Sequence, residues 1–212
     1  MNITLNRLIC NSALAALCSF SALTLAQDQP TYSGWTITAN LDHINFDSAA
    51  ASRPDVLISE SGTAIGLAGE YLDSGRSMTY VVGLNYIIYN DNNEFAQYVQ
   101  DYWYNDRYDG SYEESSANAL MLFAEAGPKI HFGTYHSSFF SARVGVSQIF
   151  DSTRSIDFCS DCYSEDIDIE GGFYGSLGIG HSFDQFDIGA EFQQYFSGDI
   201  DNSLRLKMAF SF

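Results

Sequence analysis

The chain has 212 residues, with nine Lys and Arg against 27 Asp and Glu and a formal charge of −18. So acidic a chain has too little positive charge to hold nucleic acid through its phosphates, and its length suits one domain. Aromatic residues make up 15% of it and Gly outnumbers Pro 17 to 3, a composition suited to strands and tight turns.

Residues 1–26 read as a secretory signal peptide that is cleaved. Arg7 is their only charge, an apolar stretch runs from Leu8 to Leu25, and Thr24 and Ala26 take the −3 and −1 positions before Gln27. The mature domain is then 27–212. One base and no acid leave with the leader, so the charge falls to −19, and only Cys159 and Cys162 remain of the four cysteines. No run of some 18 apolar residues follows, so no membrane helix is expected.

Apolar residues then recur with period two, the strand period. Trp35, Ile37, Ala39 and Leu41 alternate with Thr36, Thr38, Asn40 and Asp42. Ile65, Leu67 and Tyr71 alternate with Ala64, Gly66, Ala68 and Glu70, and the turn Asp73 to Arg76 leads into Met78, Tyr80, Val82, Leu84, Tyr86 and Ile88. A fourth segment runs from about 117 to 132, with Leu120, Leu122, Ala124 and Ala126 on its apolar face and Pro128 expected to mark a bulge or the end of regular pairing. Phe140, Ala142, Val144 and Val146 form the fifth; Phe173, Leu177, Ile179 and Phe183 the sixth; Phe186, Ile188, Ala190 and Phe192 the seventh; Leu204, Leu206, Met208, Phe210 and Phe212 the last.

Eight strands joined alternately by short turns (72–77, 133–137, 184–185) and longer loops (43–60, 90–116, 151–168, 197–202) predict an all-β fold. The pattern is that of a closed antiparallel transmembrane β-barrel of eight strands, with short periplasmic turns and long extracellular loops. Such a barrel is just wide enough to be filled by side chains. The expected inward positions carry Gly, Ala and Ser together with the lumen charges Glu70, Glu125, Arg143, Glu170, Glu191, Arg205 and Lys207. Counting from the turns sets Glu125 diagonal to Arg143 and Glu191 near Lys207, and buried opposite charges should pair.

The alternation at Leu204, Leu206, Met208, Phe210 and the final Phe212 resembles the terminal assembly signal of Gram-negative outer-membrane barrels. With the leader and the eight segments, the mature chain resembles the OmpA/OmpX-like small barrels. The resemblance implies a monomer in the cell outer membrane, facing lipid and lipopolysaccharide, delivered by periplasmic chaperones and the β-barrel assembly machinery. Ending on its last strand, the chain is expected to lack a periplasmic peptidoglycan-binding domain.

The third loop carries Cys159 and Cys162, whose default in an exported protein is a disulfide. The second and third loops are acidic, with Asp91, Glu94, Asp101, Asp106, Asp109, Glu113 and Glu114 against Arg107, and Asp151, Asp157, Asp161, Glu165, Asp166 and Asp168 against Arg154. They read as a solvated, repelling surface before they read as a Ca²⁺ or Mg²⁺ site, so no cofactor is expected. Phe95, Tyr98, Tyr102, Trp103, Tyr104, Tyr108 and Tyr112 suit either an aromatic girdle or a recognition surface for an unidentified extracellular ligand. Some small barrels deacylate lipid A with an H-x-S-N motif; here His181 is followed by Ser182 and His136 precedes Ser138, both by short turns. The expected function is therefore a non-enzymatic structural or surface-interaction barrel, serving envelope integrity or adhesion. A narrow ion pore gated by lumen charges and a lipid-modifying enzyme are the alternatives.

Overall fold

A computed structural model of the protein describes residues 33–73, 76–100, 110–133, 137–156, 161–183 and 186–211. The leader (1–26), Cys159, Phe212, His136, Arg107 and the loop aromatics Tyr102, Trp103, Tyr104 and Tyr108 lie outside the described residues, as do Asp101, Asp106, Asp109 and Asp157. In chain order the elements are β1 (Gly34–Phe46), α1 (Ser48–Ala51), β2 (Ile58–Asp73), β3 (Met78–Asp91), β4 (Ala96–Gln100), β5 (Gly110–Glu114), β6 (Ser116–Phe132), β7 (Ser138–Ser155), β8 (Ser164–Asp166), β9 (Phe173–Ser182), β10 (Phe186–Tyr195) and β11 (Ile200–Ser211).

Eight of these strands form one antiparallel sheet in the order β6-β3-β2-β1-β11-β10-β9-β7, and pairing of β6 with β7 closes it. First and last strands meet in register, with Ile37 opposite Phe210 and Asp42 opposite Arg205. Closure gives every strand two partners, the only way a sheet avoids unpaired backbone groups where water is absent. The short β8 extends the sheet beside the far end of β7, and β4 pairs with β5 in a separate hairpin.

The apolar phase of each strand points outward. Trp35, Leu67 and Ile179 are 66%, 62% and 64% exposed, whereas Asp42, Glu70, Glu125, Arg143, Glu191 and Arg205 are buried inside. This is a soluble barrel turned inside out, and it makes the chain a transmembrane β-barrel. Rings gather at the short-turn end of the belt, where Trp35 lies 5.2 Å from Tyr71 and Phe183 stacks 4.7 Å from Phe186.

The polarity then inverts along the same strands. On β1 the outward series Ile37, Ala39, Leu41 continues as His43 and Asn45, while the inward series Thr38, Asn40, Asp42 continues as Ile44 and Phe46. Ile87 and Tyr89 on β3, Met121 on β6, Ile149 on β7, Tyr174 on β9 and Tyr195 on β10 join Ile44 and Phe46 in one buried cluster. Ala51 of α1 and the loop residues Val56, Ile167 and Ile169 join it. The long-loop end is thus built like a water-soluble domain, with apolar residues inside. The strands are also unequal: β6 and β7 have 17 and 18 residues against 10 each for β9 and β10. About 9–11 residues cross a bilayer, so the excess on β6 and β7 stands above it as a taller wall.

Three expectations about irregular positions are corrected, the first only in part. Pro128 neither ends β6 nor bulges it, but regular pairing does break there: the ladder with β3 ends at Met78 opposite Pro128, and pairing with β7 pauses after Ala126 (opposite Val144) and resumes at Lys129 (opposite Ser141) in unchanged register. A proline removes one ladder donor, and the flanking pairs hold the strand. The register shift lies instead between Asn118 and Leu120, facing Asp151, whose φ of 54° is tolerated by Asp. Strand β7 accordingly runs on to Ser155, well into the segment expected as a loop from 151. The connection expected as a longer loop at 197–202 is a tight turn, since β10 ends at Tyr195 and β11 begins at Ile200, with Gly198 at φ 83°.

The narrow lumen forces close contacts. A Cβ at Gly83 would stand 2.4 Å from the Phe123 ring and one at Gly145 2.6 Å from the Tyr174 ring. Gly83→Val should lower the unfolding free energy of the barrel, read from urea titration, by about 1–3 kcal/mol, and adding Phe123→Leu should restore part of that loss. An unchanged midpoint in Gly83→Val would contradict the ring-over-glycine packing.

Candidate functional site

The inner face of the barrel gathers charge from six strands. Arg205 on β11 donates from Nε to Asp42 Oδ1 of β1 at 2.9 Å, from Nη2 to Asp42 Oδ2 at 3.1 Å and from Nη1 to Glu125 Oε1 of β6 at 2.7 Å. Arg143 on β7 donates to Glu191 Oε2 of β10 at 2.8 Å, to Glu70 Oε2 of β2 at 3.1 Å and to the Thr79 hydroxyl at 3.0 Å. Lys207 reaches Glu191 Oε2 at 3.0 Å, and Lys129 reaches Glu70 at 3.1 Å and Asp187 at 2.8 Å. The planar guanidinium fork lets each arginine bridge carboxylates from different strands. Neutral donors complete the shell: Tyr174 Oη and Gln193 Nε2 both donate to Glu125, at 2.8 and 3.0 Å, and Asn85 Nδ2 to Asp42 at 2.6 Å. Arg205 lies over the Phe123 ring and Lys129 over the Phe139 ring, at 4.3 and 4.5 Å.

Asp42, Glu70, Glu125 and Glu191 are all buried with Lys129, Arg143, Arg205 and Lys207, so the sealed charges balance four to four, with Asp187 at the short-turn mouth. Six of the seven expected lumen charges stand here. Glu170 does not: it is exposed in the segment before β9, where its N–H donates to Asp199 Oδ2 at 2.9 Å. Period-two counting placed it inside, but β9 begins only at Phe173, and Glu170 belongs to the loop layer. Glu191 and Lys207 do pair. Glu125 and Arg143 approach only to 3.6 Å, because each has better partners, Arg205 for the one and Glu70 with Glu191 for the other. Asp42, Lys129 and Asp187 were missed, although each lies on the inward phase of its strand: Lys129 falls four residues after Glu125, and Asp187 four before Glu191.

Two arginines tie the loops together. Arg154, 1% exposed, donates to both oxygens of Asp91 at 2.6 and 2.7 Å, to the carbonyls of Val56 and Leu57 at 2.9 and 3.2 Å, and to Glu165. It thereby joins the first three long connections. Arg53 donates to Asp199 Oδ2 at 3.0 Å and to the Asp168 carbonyl, bringing in the turn between β10 and β11. Several acids that read as loop surface are thus anchors. Among the described residues no group of three or more His, Cys, Asp or Glu side chains is arranged to hold a metal.

The β4–β5 hairpin stands apart from the barrel sheet, which settles the described loop aromatics: Phe95, Tyr98 and Tyr112 lie on or beside it rather than in a girdle. Phe95 meets Tyr163 edge-on at 5.1 Å and Tyr98 meets Tyr112 at 5.5 Å. Cys162 lies in the described part of the third loop, close to Tyr163. At the opposite end, Ser138 Oγ is 3.5 Å from His181 Nδ1. A triad serine would use Nε2 and leave Nδ1 to the acid, so this contact lacks the arrangement of a nucleophile and its base.

No family model matches the sequence, and no curated protein matches it. Among solved structures the chain is similar to Neisserial surface protein A (NspA), at 12% identity and a TM-score of 0.45, covering 85% of this chain and 99% of that one. It is also similar to Ail, the attachment invasion locus protein of Yersinia pestis, at 10% identity and a TM-score of 0.43, covering 85% and 97%.

Two measurements test this geometry. Arg143→Met removes the cation that bridges Glu70 and Glu191 and leaves each with a single lysine, Lys129 and Lys207, so the cost should stay below the roughly 3–5 kcal/mol of a fully uncompensated buried charge. In double-mutant cycles on the unfolding midpoint, Glu70→Gln should couple to Arg143→Met more strongly than Glu125→Gln does, and equal couplings would overturn this order of contacts. Separately, Arg154→Ala should speed proteinase K cleavage within 90–116 and 151–168 several-fold while leaving the barrel folded. Unchanged cleavage would show that Arg154 does not hold the loops.

Proposed function

We propose that the protein is an exported outer-membrane barrel of a Gram-negative cell. Residues 1–26 are removed as a signal peptide, the short turns face the periplasm, and the long loops stand outside the cell. Its role is non-enzymatic: it presents a rigid, acidic and aromatic crown for surface interaction, in adhesion or envelope integrity. The observation that carries this reading is the polarity inversion along the strands. Below Leu41 and Asp42 the barrel is dressed for lipid, and above His43 and Ile44 for water, so one end is built to stand clear of the bilayer.

The same reading assigns the partners. Lipid and lipopolysaccharide cover the belt, and the assembly machinery reads the last strand, where Leu204, Leu206, Met208 and Phe210 point outward ahead of Phe212. Cys159 and Cys162 form a disulfide that stiffens the third loop in an oxidising compartment. The barrel acts as a monomer.

The pore reading has less support. Asn85, Thr79 and Tyr174 are 0% exposed and Met121 1%, so both the charged layer and the apolar layer above it are closed to water at these positions. Among the described residues the enzyme reading has Ser138 and His181, at the short-turn end and joined through the wrong nitrogen. Cell fractionation and planar-bilayer recording test the proposal together. The wild type should be recovered from the outer membrane as a heat-modifiable species with no steady conductance, and deletion of Phe212 should deplete that species severely. Recovery of the wild type elsewhere would overturn the location. A stable open channel would restore the pore.

A further inference from the structure

We propose that the open face of the β4–β5 hairpin is a docking surface for a basic, Lys- and Arg-bearing polypeptide segment. The inference rests on the outward orientation proposed above and names the class of partner.

The hairpin has two unlike faces. Residues directly opposite in an antiparallel pair share a face, and alternate residues change face. Gln97 lies opposite Glu113 on one side, and there the third loop docks, with the Tyr163 N–H donating to Gln97 Oε1 at 3.1 Å. The other side carries Tyr98 opposite Tyr112, with Glu114 opposite Ala96 next along it. Tyr98 lies against Gly110, where a Cβ would come within 2.6 Å of its ring. The Tyr98 ring thus lies along this face over Gly110, while Tyr112 remains 75% exposed and Glu114 is exposed beside it.

Charge complementarity selects the occupant. Four of the nine basic residues are sealed in the lumen and Arg154 is buried in its loop tie. Among the described residues Arg53 is the remaining base at this end, and it is held by Asp199. Glu94, Glu113, Glu114, Asp161 and Asp166 are exposed around the hairpin. A second copy of this chain or an anionic polymer would be repelled. A lysine or arginine meets attraction twice, from the face of an exposed tyrosine ring and from a carboxylate beside it. Tyr112 and Glu114 are two residues apart, about 7 Å along a strand. An extended segment with cations at alternate positions repeats at the same spacing and can engage both.

The test uses the full-length protein in detergent micelles and a fluorescent peptide of alternating Lys and Ser, with an alternating Glu and Ser peptide and maltohexaose as comparisons. The basic peptide should bind, more weakly as salt rises. Tyr112→Ala should weaken it about two- to fivefold and Glu114→Gln to a similar extent, while Tyr112→Phe retains the affinity. Heat-modifiable migration confirms that each variant is folded. No binding by the wild type, or equal losses in Tyr112→Ala and Tyr112→Phe, would overturn the proposal. Maltohexaose binding that depends on Tyr112 would replace it with a carbohydrate surface. On intact cells a membrane-impermeant maleimide should label Tyr112→Cys above the wild-type background. Failure there would overturn the orientation of the loops, whatever the purified protein binds.

Discussion

A charge buried in the lumen of so narrow a barrel is costly unless it meets an opposite charge held by another strand. Asp42, Glu70, Glu125 and Glu191 satisfy this with Lys129, Arg143, Arg205 and Lys207, and the ladder crosses the barrel from wall to wall. Burying these groups is costly in itself, and the attraction between them offsets that cost only where the geometry is good. The arrangement is better understood as a specification than as a source of stability. A slip of β11 by one residue would turn Arg205 into lipid and take from Asp42 and Glu125 their nearest cation, so the network disfavours that register.

Above that layer the requirement reverses. Once the strands leave the bilayer, water can serve outward groups, and the lumen can be filled by Ile44, Phe46, Met121, Ile149 and Tyr174 as in a soluble domain. The apolar plug gives the loops something to pack on, which is why they need only a few polar ties. Arg154 and Arg53 supply them, and by drawing in Asp91, Glu165 and Asp199 they consume acids that would otherwise repel one another. Base is thereby concentrated inside the molecule, and the surface at this end is left more acidic than the net charge implies. The open hairpin face stands in that negative surround.

The strand count and the closed antiparallel barrel were legible in the sequence, because period two in a strand translates directly into two faces; which face looks outward came from the resemblance of the last strand to an outer-membrane assembly signal. The eight alternating segments from Trp35 to Phe210 are the eight barrel strands, and Glu125, Arg143, Glu191 and Lys207 fall at the inward positions that counting from the turns assigns. Where local pattern was the whole of the physics, it was enough. It failed where the pattern changed phase or stopped. The alternation on β1 was followed to Asp42, though His43 to Phe46 continue it with polarity reversed. Glu170 was counted into a strand that begins three residues later.

Counting found the partner of Glu191 in Lys207, but that of Glu125 was decided by tertiary structure. Glu125 turns from Arg143 to Arg205, a residue 80 positions away, because closing β1 on β11 brings that guanidinium within 2.7 Å of it. Arg154 reads in sequence as a lone base in an acidic loop, and only the convergence of three connections makes it their anchor. Alternation along a strand depends on neighbours two residues apart and is written in the chain. Pairing across a lumen depends on curvature, shear and side-chain reach, which exist only once the barrel has closed.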